Sequence, residues 1–140
     1  MAFKDKVEKA KGGQTNPRIA TALDEMGAGG EISCAKAERI ALDLKEDMGE
    51  IGRTLDLRGI RIVQCQLGLF GFGERKKAVA PADAVSSELR DAINADLAQG
   101  YLPCIDAWEI ARQQGTARMT VASACEAMGI KIKPCQLGAF

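Results

Sequence analysis

The stretch GIRIVQCQLGLF, residues 59–70, returns seventy residues later as GIKIKPCQLGAF, residues 129–140. The match extends upstream without a gap, and thirteen of the 41 positions between 30 and 70 are identical to their counterparts between 100 and 140. Conservative pairs such as Ile51 with Val121 add to it. A gapless internal match of this density indicates two copies of one small domain.

The composition is that of a folded protein without a strong electrostatic preference. The chain has 140 residues, 46% of them hydrophobic, and 19 basic side chains balance 19 acidic ones. No apolar run approaches the ~20 residues of a membrane span, and the charged start from Met1 to Lys11 lacks the apolar region of an export signal. Five cysteines is an odd count, so reduced thiols and a cytoplasmic location are expected, with no membrane partner.

The first helix of each copy is predicted from its boundary residues. Asn16 followed by Pro17 is typical of a helix start, and Gly27 is typical of a helix end. These signals predict a helix over 17–26. In the second copy, apolar residues at helical spacing predict the equivalent helix over 82–98.

Two more helices and a β-hairpin are predicted to follow in each copy. The second helices are expected to begin near Cys34 and Cys104, and the third helices to cover 48–58 and 117–128. After the third helix the apolar residues alternate, as in Ile60-Arg-Ile-Val and Ile130-Lys-Ile-Lys. This period predicts a strand, which we expect to pair with a second strand at 67–72 or 137–140 to form a hairpin.

The spacing of small residues resembles that of the winged helix-turn-helix superfamily. Such units place Ala in the second helix, Gly four residues later in the turn and an apolar residue six further on, because small residues allow the two helices to cross closely. Ala111, Gly115 and Val121 match all three positions, and Ala41 and Ile51 match two. The resemblance covers most of the chain.

The resemblance implies a mainly α chain with small β-hairpins, of the α+β class, made of two tandem winged helix-turn-helix domains. The expected segments are an N-terminal extension at 1–13, the first repeat at 14–73, a linker at 74–81 and the second repeat at 82–140. Lys45 stands at the glycine position of the first copy. We therefore expect that turn to be a residue longer or differently shaped.

DNA binding, in a role as a transcription regulator, is the function that the resemblance implies. Phosphate contacts need basic side chains on the docking face. Residues 31–80 have nine basic and eight acidic groups, a net +1, whereas residues 81–140 have five basic and seven acidic groups, a net −2. The first copy is therefore expected to dominate binding. The candidate contacts are Arg53, Arg58, Arg61, Arg75, Lys76 and Lys77 in or after the first copy, and Arg118, Thr120 and Ser123 in the second.

A non-catalytic adaptor is an alternative, because winged helices also dock proteins. The second copy would then bind a protein partner or a second copy, with Trp108 and Tyr101 as anchors. A partly buried core position is the favoured interpretation of Trp108. Catalysis is not predicted, since the chain has no histidine, nucleophile elbow or Walker motif.

The cysteines allow a further alternative, a redox or soft-metal sensor. Cys34 and Cys65 are 31 residues apart, and so are Cys104 and Cys135. Cys34 and Cys104 lie near predicted helix starts, where the helix dipole favours a thiolate. Without a CxxC pair or a histidine, a four-ligand metal site would need the cysteines of both copies to converge. Structural thiols without a cofactor are the favoured interpretation, and Cys125, which has no counterpart, is assigned to the core.

Overall fold

The computed structural model describes residues 15–73 and 77–139, which form a mixed α+β structure. Six helices and a small two-stranded parallel sheet lie within these residues. In chain order the elements are α1 (Pro17–Met26), β1 (Glu31–Ser33), α2 (Cys34–Leu44), α3 (Met48–Leu57), β2 (Arg61–Val63), α4 (Ser87–Ala95), α5 (Cys104–Gln114) and α6 (Arg118–Met128). The predicted α+β class is confirmed. The expected extension at 1–13 lies outside the described residues.

The first helix of each repeat begins at a local capping signal. Asn16 Oδ1 accepts hydrogen bonds from the backbone N–H of Arg18 at 3.0 Å and of Ile19 at 3.3 Å, and α1 ends at Gly27 in the left-handed conformation. The predicted bounds 17–26 are confirmed. In the second repeat α4 begins later than predicted, because Ser86 caps it by accepting from the N–H of Leu89, and it ends earlier than predicted, with Asp96 as its C-cap.

The turn between the second and third helices has the same form in both repeats. Residues 45–47 join α2 to α3, and residues 115–117 join α5 to α6. Lys45 has φ 55° and ψ 43°, and Gly115 has φ 63° and ψ 34°. The expectation of a longer or different turn at Lys45 is wrong, because the lysine adopts the left-handed conformation that its glycine counterpart adopts.

Lys45→Gly is expected to stabilise the protein, by about 1 kcal/mol, because a side chain in the left-handed region clashes with its own backbone. Gly115→Ala is the reciprocal change and is expected to cost a similar amount. No other atom lies within 4 Å of the Cβ that it would add, so only the backbone preference is tested. Urea denaturation measures both changes. Equal stability of Lys45→Gly and the parent chain would contradict the assigned turn.

The strand that follows the third helix pairs in parallel with the residues that precede the second helix. Ile32 is the partner of Ile62 in the β1–β2 pair, and a parallel bridge between Leu102 and Ile132 repeats this at the positions seventy residues further on. Parallel pairing needs a long crossover, which the two intervening helices supply.

The predicted hairpins are wrong. No strand forms at 67–72 or at 137–139, and Gln64, with φ 50°, turns the chain immediately after β2. In the second repeat, the backbone N–H of Leu102 donates to the carbonyl oxygen of Lys131 at 3.0 Å, and the N–H of Lys133 donates to the carbonyl oxygen of Leu102 at 2.9 Å. Both segments after the third helix therefore pair with residues that precede the second helix. The alternation of apolar residues therefore identified a strand correctly but assigned it the wrong partner.

The chain divides into two compact units whose boundaries fall at equivalent positions of the two repeats. Unit 1 contains residues 15–65 and 136–139, and unit 2 contains the described residues of 66–135. We call residues 66–73 the first arm and residues 136–139 the second arm. The predicted domains 14–73 and 82–140 differ from these units, because they keep each arm with its own repeat.

Each unit has its own apolar core, to which one arm contributes a leucine. The largest core side chains, each at most 2% exposed, are Ile19, Leu23, Ile51, Leu55 and Leu137 in unit 1, and Leu67, Ile93, Leu102, Ile110 and Val121 in unit 2. Leu137 and Leu67 belong to the arms. All the described helices are too short or too polar to cross a membrane.

Candidate functional site

The third helix of the first repeat presents one of the predicted DNA contacts, already paired with an acid. Arg53 Nη2 lies 2.6 Å from Glu50 Oε1, one helical turn away on α3. This hydrogen bond lowers the pKa of Glu50 below its ordinary value and raises the pKa of Arg53. The Arg53 side chain nevertheless keeps 39% of its surface exposed, so it remains accessible to a phosphate.

The two other predicted contacts of the first repeat also lie in unit 1. Arg58, at the end of α3, forms an ion pair with Asp24 of α1. Arg61 lies on β2 and its surface is exposed. The sequence pattern indicated the arginines but not the pairing of Arg58, because its partner is 34 residues away.

The predicted basic run 75–77 is only partly described. Arg75 and Lys76 lie outside the described residues. Lys77 belongs to unit 2, where its Nζ lies 2.5 Å from Glu126 Oε1 on α6. Lys77 therefore shares a unit with the second repeat, whereas Arg53 and Arg58 lie in unit 1.

The predicted contacts of the second repeat are largely engaged in packing within unit 2. The guanidinium of Arg118 lies 3.7 Å from the ring centroid of Trp108, and Arg118 Nη1 donates to Gln66 Oε1 at 2.8 Å. Ser123 Oγ donates to the carbonyl oxygen of Ala80 at 2.6 Å. Thr120, in the same helix, is exposed. Of the three, Thr120 is the most accessible to a ligand.

The two proposed protein anchors differ in accessibility. Trp108 is only 9% exposed, in agreement with the core interpretation. Tyr101 is half-buried, and Lys133 Nζ lies 3.9 Å from its ring centroid. Neither ring is therefore a fully exposed anchor.

An open groove of about 690 Å³ on unit 2 was not predicted from the sequence. It is lined by Trp108, Arg118 and Ile105, whose surface is 60% exposed. The indole N–H of Trp108 is buried and has no hydrogen-bond partner among residues 15–73 and 77–139. The sequence does contain a signal for the exposure of Ile105. The buried face of α5 includes Cys104, Ala107 and Ala111, and Ile105 lies outside this helical spacing.

The cysteines are divided between the units. Cys34 and Cys65 are buried in unit 1, whereas Cys104 is buried and Cys135 half-buried in unit 2. Within the described part of the chain, no three cysteine or acidic side chains are grouped so that they could hold a metal ion.

The unmatched cysteine, Cys125, is a core residue, as predicted, and is 1% exposed. Burial, and to a lesser degree the charge of Glu126, raises the pKa of its thiol to about 11. Because only the thiolate is a good nucleophile, Cys125 is unreactive at neutral pH.

When the chain is compared with protein-family models, with curated proteins and with solved structures, none of them matches it.

Proposed function

We propose that the protein is a non-catalytic DNA-binding protein that acts in transcription regulation through two helix-turn-helix units. The observation that carries the proposal is the geometry of the helix pair in each unit. A three-residue turn with one left-handed residue joins the second and third helices. In a helix-turn-helix the helix after the turn, which is the third helix of each repeat here, enters the major groove.

The packing at the helix crossing supports this proposal. Ala41 and Ala111 are 6% and 2% exposed, and the apolar residues ten positions later, Ile51 and Val121, are fully buried. Small residues in the second helix let the third helix approach closely, as in helix-turn-helix units.

Unit 1 is the proposed DNA-binding unit, because Arg53, Arg58 and Arg61 lie along the continuous stretch from α3 to β2. The carboxylates of Glu50 and Asp24 compete for two of these guanidinium groups. Ion pairs between exposed side chains contribute little to stability, so a DNA phosphate can replace a carboxylate at small cost. We therefore expect binding that is strongest at low salt.

Replacing Arg53, Arg58 and Arg61 together by glutamine is expected to weaken binding to a mixed-sequence DNA duplex in a fluorescence anisotropy titration. The slope of log affinity against log salt concentration should fall by about 1 for each phosphate that the variant no longer neutralises. The matched control replaces Arg18, Lys36 and Arg39 together by glutamine. These residues also lie in unit 1, so the control removes the same total positive charge as the test variant.

Two results would reject DNA binding through this surface. One is the absence of binding by the parent chain at low salt and micromolar protein. The other is an equal loss of affinity in the two triple variants, which would show that only the overall charge of unit 1 matters.

A further inference from the structure

The two arms occupy equivalent places in opposite units. The unit boundaries fall between residues 65 and 66 and between residues 135 and 136, which are seventy residues apart. Both arms begin Gln-Leu-Gly, and their glycines have matching left-handed conformations, with φ 76° at Gly68 and 79° at Gly138. Each unit thus receives the same short segment from the other repeat.

The second arm lies directly against the helix α3 of unit 1. A Cβ added at Gly52 would lie 2.0 Å from the carbonyl oxygen of Leu137 and 2.7 Å from its carbonyl carbon. The Leu137 side chain is 2% exposed. The backbone of the arm therefore occupies the space that any side chain at position 52 would need, and we call this part of α3 the Gly52 surface.

The first arm makes corresponding contacts in unit 2. Leu67 is fully buried, and Gln66 Oε1 accepts the hydrogen bond from Arg118. The carbonyl oxygen of Gly68 accepts from the backbone N–H groups of Ala78 at 2.8 Å and Val79 at 3.0 Å. A Cβ at Gly68 would lie 3.0 Å from Met119 Cε on α6. Each arm is thus held by burial of a leucine and by close approach to the third helix.

We infer that the Gly52 surface, when the chain's own second arm is not docked on it, binds the Gln-Leu-Gly arm of a second copy of this chain and so supports an arm-swapped dimer. The contacts that hold the second arm are made with residues 15–65, to which the arm is connected only through unit 2. They do not depend on that connection, so the same segment of another copy fits the same surface, as in domain swapping. Within one chain the linked arm has the advantage of high effective concentration.

The inference can be tested by complementation between two full-length variants. Gly52→Val blocks the Gly52 surface but leaves the second arm intact. Leu137→Asp disables the second arm but leaves the surface intact. Neither variant can dock its second arm alone, whereas in a mixture the arm of the first can bind the surface of the second. This arrangement removes the competition from the chain's own arm.

In sedimentation at micromolar concentration, each variant alone is expected to have the monomer mass of 14.9 kDa, and the mixture is expected to move toward twice that mass. The matched control mixes Leu137→Asp with Gly49→Val. Position 49 is open, since no atom lies within 4 Å of an added Cβ, so this variant keeps its own arm docked and should not form the mixed dimer.

A mixture that retains the monomer mass, although both variants keep the helical circular dichroism of the parent chain, would overturn the inference. If either variant loses its helices, the milder changes Gly52→Ala and Leu137→Ser replace it. The sedimentation mass of the mixture and the circular dichroism of each variant are then interpreted in the same way. The DNA-binding arginines are unchanged in all these variants, so failure here and failure of DNA binding are distinguishable.

Discussion

Replacing Leu67 by alanine is expected to lower the free energy of unfolding by about 2–5 kcal/mol, the usual cost of removing a fully buried leucine side chain. Leu67 is completely buried, and it belongs to unit 2 although it follows the helices of the first repeat. The loss should therefore loosen α5 and α6. Urea denaturation measures the size of the effect, and hydrogen–deuterium exchange measured by mass spectrometry locates it.

The helices in which hydrogen–deuterium exchange becomes faster show whether residues 66–73 pack in unit 2 or form a hairpin wing on the first repeat. A wing on the first repeat would loosen α2 and α3 when Leu67 is truncated, and that result would contradict the division of the chain into these two units. Leu42→Ala is the control, because Leu42 is 64% exposed and its truncation should change stability by less than about 0.5 kcal/mol.

Gly52→Ala is expected to destabilise the protein by about 1–3 kcal/mol, the typical cost of forcing extra volume into a packed site. The added methyl group would meet the backbone of Leu137, and backbone cannot move aside as the end of a flexible side chain can. Thermal or urea unfolding measures the change.

Gly49→Ala is the matched control for this substitution, since both glycines lie in α3 and only position 52 faces another segment. Alanine is a better helix former than glycine, so the control should be neutral or stabilising by up to about 1 kcal/mol. Similar stabilities of the two variants would show that the second arm does not lie against α3.

Local signals predicted the helices well. The pair Asn16-Pro17 and the glycine at 27 set both ends of α1, and the third helix of each repeat begins and ends within a residue of its predicted bounds. Caps, prolines and left-handed glycines act over a few residues, so a sequence window contains all the groups that decide them. The same locality explains α4, where Ser86 displaced the predicted start.

The candidate site was predicted less completely. Residue type and position pointed to Arg53 and Arg58, but whether a guanidinium is available depends on its neighbours. The Glu50 partner of Arg53 is one helical turn away and is visible in the sequence, whereas the Asp24 partner of Arg58 and the Trp108 partner of Arg118 are set by helix packing.

The sequence alone determined the duplication, most of the helix boundaries and the strand after the third helix of the first repeat, because these follow from repetition and from contacts within a few residues. Only the tertiary structure decided the partner of each strand and the unit to which each Gln-Leu-Gly segment belongs. An alternating apolar pattern shows that one face of a segment is buried but does not identify what buries it. Leu67 and Leu137 are buried in opposite units, a choice made by the packing of distant residues.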